Sequence, residues 1–204
     1  MKKKFFLLSL TAAILSSSCN VVNTLYPLSE NKKDFLFKKE LIGKWKEIKD
    51  SSVYYQVDTV AGENKKLYLA TIVSAGEENK SVMDTTYFNA RLIQLGNSYF
   101  IDCQFEIEKN FLQRKDDYSQ WLIARHFILR VSFDGNDKIE ISYPASDELV
   151  KLINEKKIRL TYYTVGKDDY LILDKPAALR AALQESEKYS SLLYKNKDVL
   201  VKLK

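Results

Sequence analysis

From residue 43 onward the chain is written in short apolar runs separated by turn residues. Apolar and polar positions alternate with a period of two, the spacing of half-buried strands, through 43–48, 53–60, 66–74, 83–95, 98–107, 121–133, 137–143, 158–165 and 169–173. Gly62, Gly76, Gly96, Gly135 and Gly166 fall between these runs. Gly96-Asn97 separates Arg91–Leu95 from Ser98–Ile101, and Asp134-Gly135 separates Phe127–Phe133 from Ile139–Tyr143. Both are hairpin signals, because Gly and Asn tolerate the positive φ that tight turns require. Connections this short force antiparallel neighbours.

Two helices interrupt or close the pattern. Pro144 stops a strand, and Ser146 is placed to cap a helix over about 146–157, with Asp147 and Glu148 in its first turn and Lys156 and Lys157 in its last. Asp174 is placed to cap a second helix near 175–190 that opens with Pro176. Leu179, Ala182, Leu183, Ser186, Tyr189 and Leu193 form its stripe at spacings of three and four. Asp34–Leu41 reads as one or two helical turns. The fold class expected from the pattern is mainly β, an antiparallel barrel or half-barrel carrying two added helices.

The N-terminus follows a different rule. Lys2, Lys3 and Lys4 precede the apolar run Phe5–Leu15, and Ser16, Ser17 and Ser18 lead to Cys19. Such an apolar run is too short to span a bilayer, which takes about 20 residues; it has the form of an export signal. Small residues ending in Cys after such a run resemble a bacterial lipoprotein signal. The resemblance implies that residues 1–18 are removed, that Cys19 is acylated, and that the membrane is a partner through that acylated N-terminus. Leu15 stands one place further from the Cys than the usual pattern has it, a loosened form similar to that of Bacteroidetes lipoproteins. In that class an acidic run after the Cys accompanies surface display, and Asn20–Thr24 has none. A periplasm-facing, outer-membrane location is therefore expected. Residues 19–34, polar and containing Pro27, read as the lipidated Cys and a flexible tether reaching about 20 Å, and 35–204 as a single β-rich domain. The formal charge of +5 falls to +2 once the three signal lysines are set aside, and the basic residues are scattered among acids. A nucleic-acid partner is not expected.

Within the domain, Gly43-Lys44-Trp45 opens the first long strand. A Gly-x-Trp at that place, followed by a run of hairpins, resembles lipocalin-like barrels, and the whole mature chain is similar to lipocalin-like lipoproteins of Bacteroidetes. The resemblance implies that Gly43 lets the chain turn sharply into the barrel and that Trp45 plugs its closed end. In that family a distal Arg often stacks on the Trp; Arg130 and Arg159 are the candidates here. No activity follows from the likeness.

Candidate chemistry is sparse. With Cys19 acylated, Cys103 is a lone thiol, and alternation places it with Tyr99, Ile101 and Phe105 on an apolar face, as a small core hydrophobe. His126 is the one histidine, so zinc sites built on several His are excluded by count. Alternation sets it with Ile128 and Arg130 on an outer strand face, away from Phe127, Leu129, Val131 and Phe133. No Gly-x-Ser-x-Gly elbow, calcium loop or Gly-rich phosphate loop is present. Asp116-Asp117, Glu77-Glu78 and Asp168-Asp169 read as solvated loop acids, and Asp134–Asp137 as a turn with spare oxygens. No catalytic residue, metal or cofactor is expected. Two functions remain: a barrel cavity that binds a small apolar or amphiphilic molecule, or a filled barrel acting as a structural or protein-interaction element. A cavity of about 300 Å³ or more with a few inward polar groups separates them.

Overall fold

A computed structural model describes residues 22–50, 52–60, 66–75, 83–106, 125–165 and 169–203. In chain order the elements are β1 (Val22–Thr24), β2 (Phe35–Leu36), β3 (Gly43–Glu47), β4 (Val53–Thr59), β5 (Tyr68–Ala75), β6 (Met83–Leu95), β7 (Ser98–Phe105), β8 (His126–Asp134) and β9 (Lys138–Tyr143). Then come α1 (Ser146–Asn154), β10 (Tyr162–Val165), β11 (Asp169–Ile172), α2 (Pro176–Ser186) and β12 (Asn196–Lys202). Strands β3 to β9 run as a meander, each antiparallel to the next, and β12 closes the ring by pairing with both β9 and β3. The fold is mainly β: a closed, eight-stranded antiparallel barrel with two helices and extra strands.

The excursion between β9 and β12 leaves and returns at one place. Tyr143 pairs with Asn196, and the Ala145 amide donates to the Leu193 carbonyl at 2.7 Å. What lies between is an outer layer. Strands β10 and β11 continue the sheet outward from β8 through β1, which is antiparallel to β8 and parallel to β11. The helices cover the outward side of β6 to β8. These strands are therefore apolar on both faces. Leu92, Ile101 and Val131 belong to the barrel interior, and their neighbours Ile93, Phe100 and Ile128 to a second core beneath α1 and α2. The β6–β7 hairpin turns at Gly96, at φ +59°, between the paired Leu95 and Ser98.

All nine expected strands are present, several trimmed at their ends; the one expected over 121–133 is described from His126. Other expectations are corrected. Residues 22–34 are not a free tether: Val22–Thr24 is buried in the sheet and Leu28 is fully buried. A three-residue strand is too short to show a period, so the polar stretch around it hid the pairing. The helical turns expected over Asp34–Leu41 are two single 3-10 turns, Lys32–Asp34 and Lys39–Leu41, and between them lies an unexpected strand, β2, which pairs with Ile93 and Leu92 of β6. The helix caps shift by one residue. Ala145 and Lys175 take the N-cap positions, and Asp174 instead accepts from the Thr161 amide. The closing strand β12 was not expected. Residues 1–18, Cys19, Asp168 and the pairs Glu77-Glu78 and Asp116-Asp117 lie outside the described residues. Among the described residues no helix is long and apolar enough to cross a membrane.

Candidate ligand cavity

One end of the barrel is shut by residues 36–45. Trp45 is fully buried, and its indole Nε1 donates to the Leu41 carbonyl at 2.9 Å. Gly43 adopts φ +129°, and a Cβ there would lie 2.9 Å from Lys202 Cε. The missing side chain lets the Lys202 stem pass over the strand. Its ammonium sits 5.0 Å from the Trp45 ring centroid and donates to the Glu40 carbonyl at 3.0 Å. The cation on Trp45 is thus Lys202, not Arg130 or Arg159. Arg130 lies outside the barrel, 5.2 Å over the Tyr194 ring and 2.9 Å from Glu187, and Arg159 is exposed. Lys38 caps the same end from above Tyr99 and Phe133, at 4.7 and 5.0 Å. The Tyr68 hydroxyl accepts from the Lys38 amide at 2.7 Å, which ties the 36–41 segment to the wall.

Above this floor lies a cavity of about 150 Å³, lined by side chains of all eight barrel strands. Leu41 and Trp45 mark its floor. Tyr55, Phe88, Phe127 and Tyr143 ring it toward the opposite end. The lining is apolar apart from three tyrosines and Cys103. Cys103 faces the cavity, and burial, reinforced by neighbouring Asp102, pushes its thiol pKa far up, so it stays protonated and a poor nucleophile. Burial does the same to the Tyr55 phenol. A dry apolar space of roughly this volume excludes water and accepts small hydrocarbons.

The histidine belongs elsewhere. His126 and Asp102 face outward and are buried, with His126 directly across from Thr24 of β1; Nδ1 lies 2.7 Å from Asp102 Oδ1. The other carboxylate oxygen accepts from the Leu28 amide, also at 2.7 Å. This pair clamps the N-terminal segment to the barrel wall. Sealed this way, it offers no approach to a substrate, and its role is that of a satisfied buried hydrogen-bonded pair. Among the described residues no group of three or more His, Cys, Asp and Glu gathers as a metal site. Asp134, in the turn with spare oxygens, is engaged by Lys138 at 2.8 Å.

The chain matches no known protein family, no characterised protein and no solved structure to which it was compared. Function must be argued from the cavity itself. Sequence reasoning missed Lys202 because β12 was not read as a strand; the signal was Val199-Leu200-Val201, an apolar, β-branched run just after the last helix.

Proposed function

We propose that this protein is a lipid-anchored component of a bacterial cell envelope whose barrel takes up a small apolar molecule or the single hydrocarbon chain of an amphiphile. The observation that carries the ligand half is the closed floor beneath an apolar cavity of about 150 Å³. Close packing normally leaves few voids larger than a water molecule, so a space of this size inside a barrel wall is a feature to be explained. The anchor half rests on Lys2–Lys4, Phe5–Leu15 and Ser16–Cys19. Two or three acyl chains on one Cys make attachment effectively permanent, since each buried methylene adds roughly 0.8 kcal/mol. The outer membrane, facing the periplasm, is the location this reading assigns.

Octanol and toluene are the probes for the cavity. The full chain should bind both in calorimetry, and Ala70→Leu, which fills the space from β5, should weaken binding at least roughly tenfold, the equivalent of about 1.4 kcal/mol. Arg159→Ala, on the exposed surface, should leave it unchanged. A second reading has its own support: the cavity is half the volume of an ordinary ligand pocket, about 300 Å³ at the small end. On that reading the barrel is a filled structural or protein-interaction element. Failure of the unaltered chain to bind either probe would select it. For the anchor, metabolic labelling with a fatty-acid analogue should mark the unaltered protein and not Cys19→Ala; equal labelling of both refutes lipidation at that residue.

A further inference from the structure

Two carboxylates stand at the end of the barrel opposite Trp45. Glu47 follows Trp45 by two on β3, and Asp198 precedes Leu200 by two on β12. Side chains two apart share a face. Trp45 and Leu200 both line the cavity, so Glu47 and Asp198 face the interior as well. The registers agree: Glu47 lies across from Leu200, and Asp198 across from Ile141, another lining residue. Both acids act electrostatically on the Tyr55 hydroxyl, whose ring is part of the cavity wall.

Their surroundings set them apart. Glu140, Glu148, Glu187 and Asp34 each hold a Lys or Arg partner. Among the described residues the carboxylates of Glu47 and Asp198 take part in none of these ion pairs and in no side-chain hydrogen bond. Partial burial raises the pKa of both, and for Glu47 the nearby Asp198 and Asp50 raise it further. The Lys49 ammonium partly offsets this for both acids, but its hydrogen bond goes to the Lys197 carbonyl at 3.1 Å and not to either carboxylate. A desolvated charge without a partner is costly, and here two of like sign sit at the rim of an apolar space.

We propose that the cavity selects amphiphiles with a cationic head group, such as primary alkylamines, the ammonium lying between Glu47 and Asp198 while the alkyl chain fills the barrel. The inference rests on the ligand-binding reading above and names its substrate class. An ammonium would supply the missing counter-charge in a setting of reduced dielectric, where charge–charge attraction is stronger than in water. A carboxylate head would add a third negative charge. The protein as a whole carries a formal charge of +5, so general attraction would favour the anion. A preference for the cation therefore reports on the rim alone.

The test is calorimetric titration of octylammonium, octanol and octanoate at neutral pH into the full chain carrying Cys19→Ser, free of any acyl group. Octylammonium should bind at least roughly tenfold more tightly than octanoate, or about 1.4 kcal/mol, with octanol between them. The double variant Glu47→Gln, Asp198→Asn should bring all three within about twofold while keeping the octanol affinity. Should the double variant fail to fold, each single variant should narrow the preference. If octanol binds but the three heads bind alike, or the variants retain the preference, the head-group inference is overturned and the cavity reading stands. If even octanol fails to bind, both readings fall together.

Discussion

The two cores of this molecule share a wall and differ in how they are filled. Strands β6 to β8 turn Leu92, Ile101 and Val131 inward and Ile93, Phe100 and Ile128 outward. Inside remains a space of about 150 Å³; among the outer-core residues the void beside Ala182 and Leu193 is about 30 Å³. The difference follows from what can move. Helices docked on a sheet slide and tilt until their side chains interlock. A closed barrel has its radius set by strand number and shear, so its side chains must fill whatever volume the backbone encloses. Here the aromatic floor fills one end and leaves the other hollow.

The largest expected effect tests the packed part of the interior. Trp45→Ala removes a fully buried indole, its hydrogen bond to Leu41 and the platform under Lys202. It should lower stability by about 3–5 kcal/mol in urea unfolding. A loss below about 1 kcal/mol would mean the floor is not a packed core. The outer counterpart is Asp102→Ala, which strands His126 and the Leu28 amide. A loss of about 2–3 kcal/mol is expected from the buried donors left unsatisfied, together with faster amide exchange at Leu28. Unchanged exchange there would break the claim that this pair clamps the N-terminal segment.

A matched pair of enlargements sharpens the contrast most directly. Ala70→Leu points into the hollow and should cost less than about 1 kcal/mol, whereas Ala182→Leu overpacks the outer core and should cost about 1–3 kcal/mol. Equal costs would mean that the two cores are packed alike. A smaller effect is expected at the end of α1. Lys156 sits at φ +59°, in the left-handed region, as Lys157 and Ile158 fold back onto the Leu152 carbonyl. Lys156→Gly should stabilise the outer layer by about 1 kcal/mol, seen as a higher Tm.

The rim acids give the last test, in pH rather than volume. The folded pKa values of Glu47 and Asp198 lie above their unfolded ones. The folded protein therefore holds more protons than the unfolded chain across that interval. Stability falls as pH rises through it, and the loss is complete above the folded values. Glu47→Gln should then be more stable than the unaltered protein at neutral pH and gain nothing below the carboxylate range. A gain that persists at low pH would point to packing rather than charge.

The strands were legible because alternation is local, and turns such as Gly96-Asn97 announce themselves. What the pattern could not carry was pairing at a distance. In β6 to β8 a second apolar layer fills the positions that would be polar on an exposed face, so Phe100 and Ile128 read simply as more hydrophobic residues. The cation on Trp45 was sought among arginines inside the expected strands, and it came from Lys202 on a strand hidden behind a helix. Glu47 and Asp198 look like surface acids until β12 has a register. The hollow itself depends on barrel closure, a property of no single segment.

That closure also sets an order of assembly. The ring is sealed by contacts between the first and last barrel strands, and Lys202 meets the Glu40 carbonyl 162 residues away in sequence. Meanders grow by short loops, each inexpensive to close, but the seam must wait until β12 is available and then bear the entropy of a very long loop. Until that moment the edges of β3 and β9 stay bare, and Trp45 lacks the lysine that lies over it. A chain stopped short of β12 would keep the hairpins and lose the barrel, leaving two open sheet edges that invite aggregation. The seven-residue β12 thus decides whether the hairpins become a barrel.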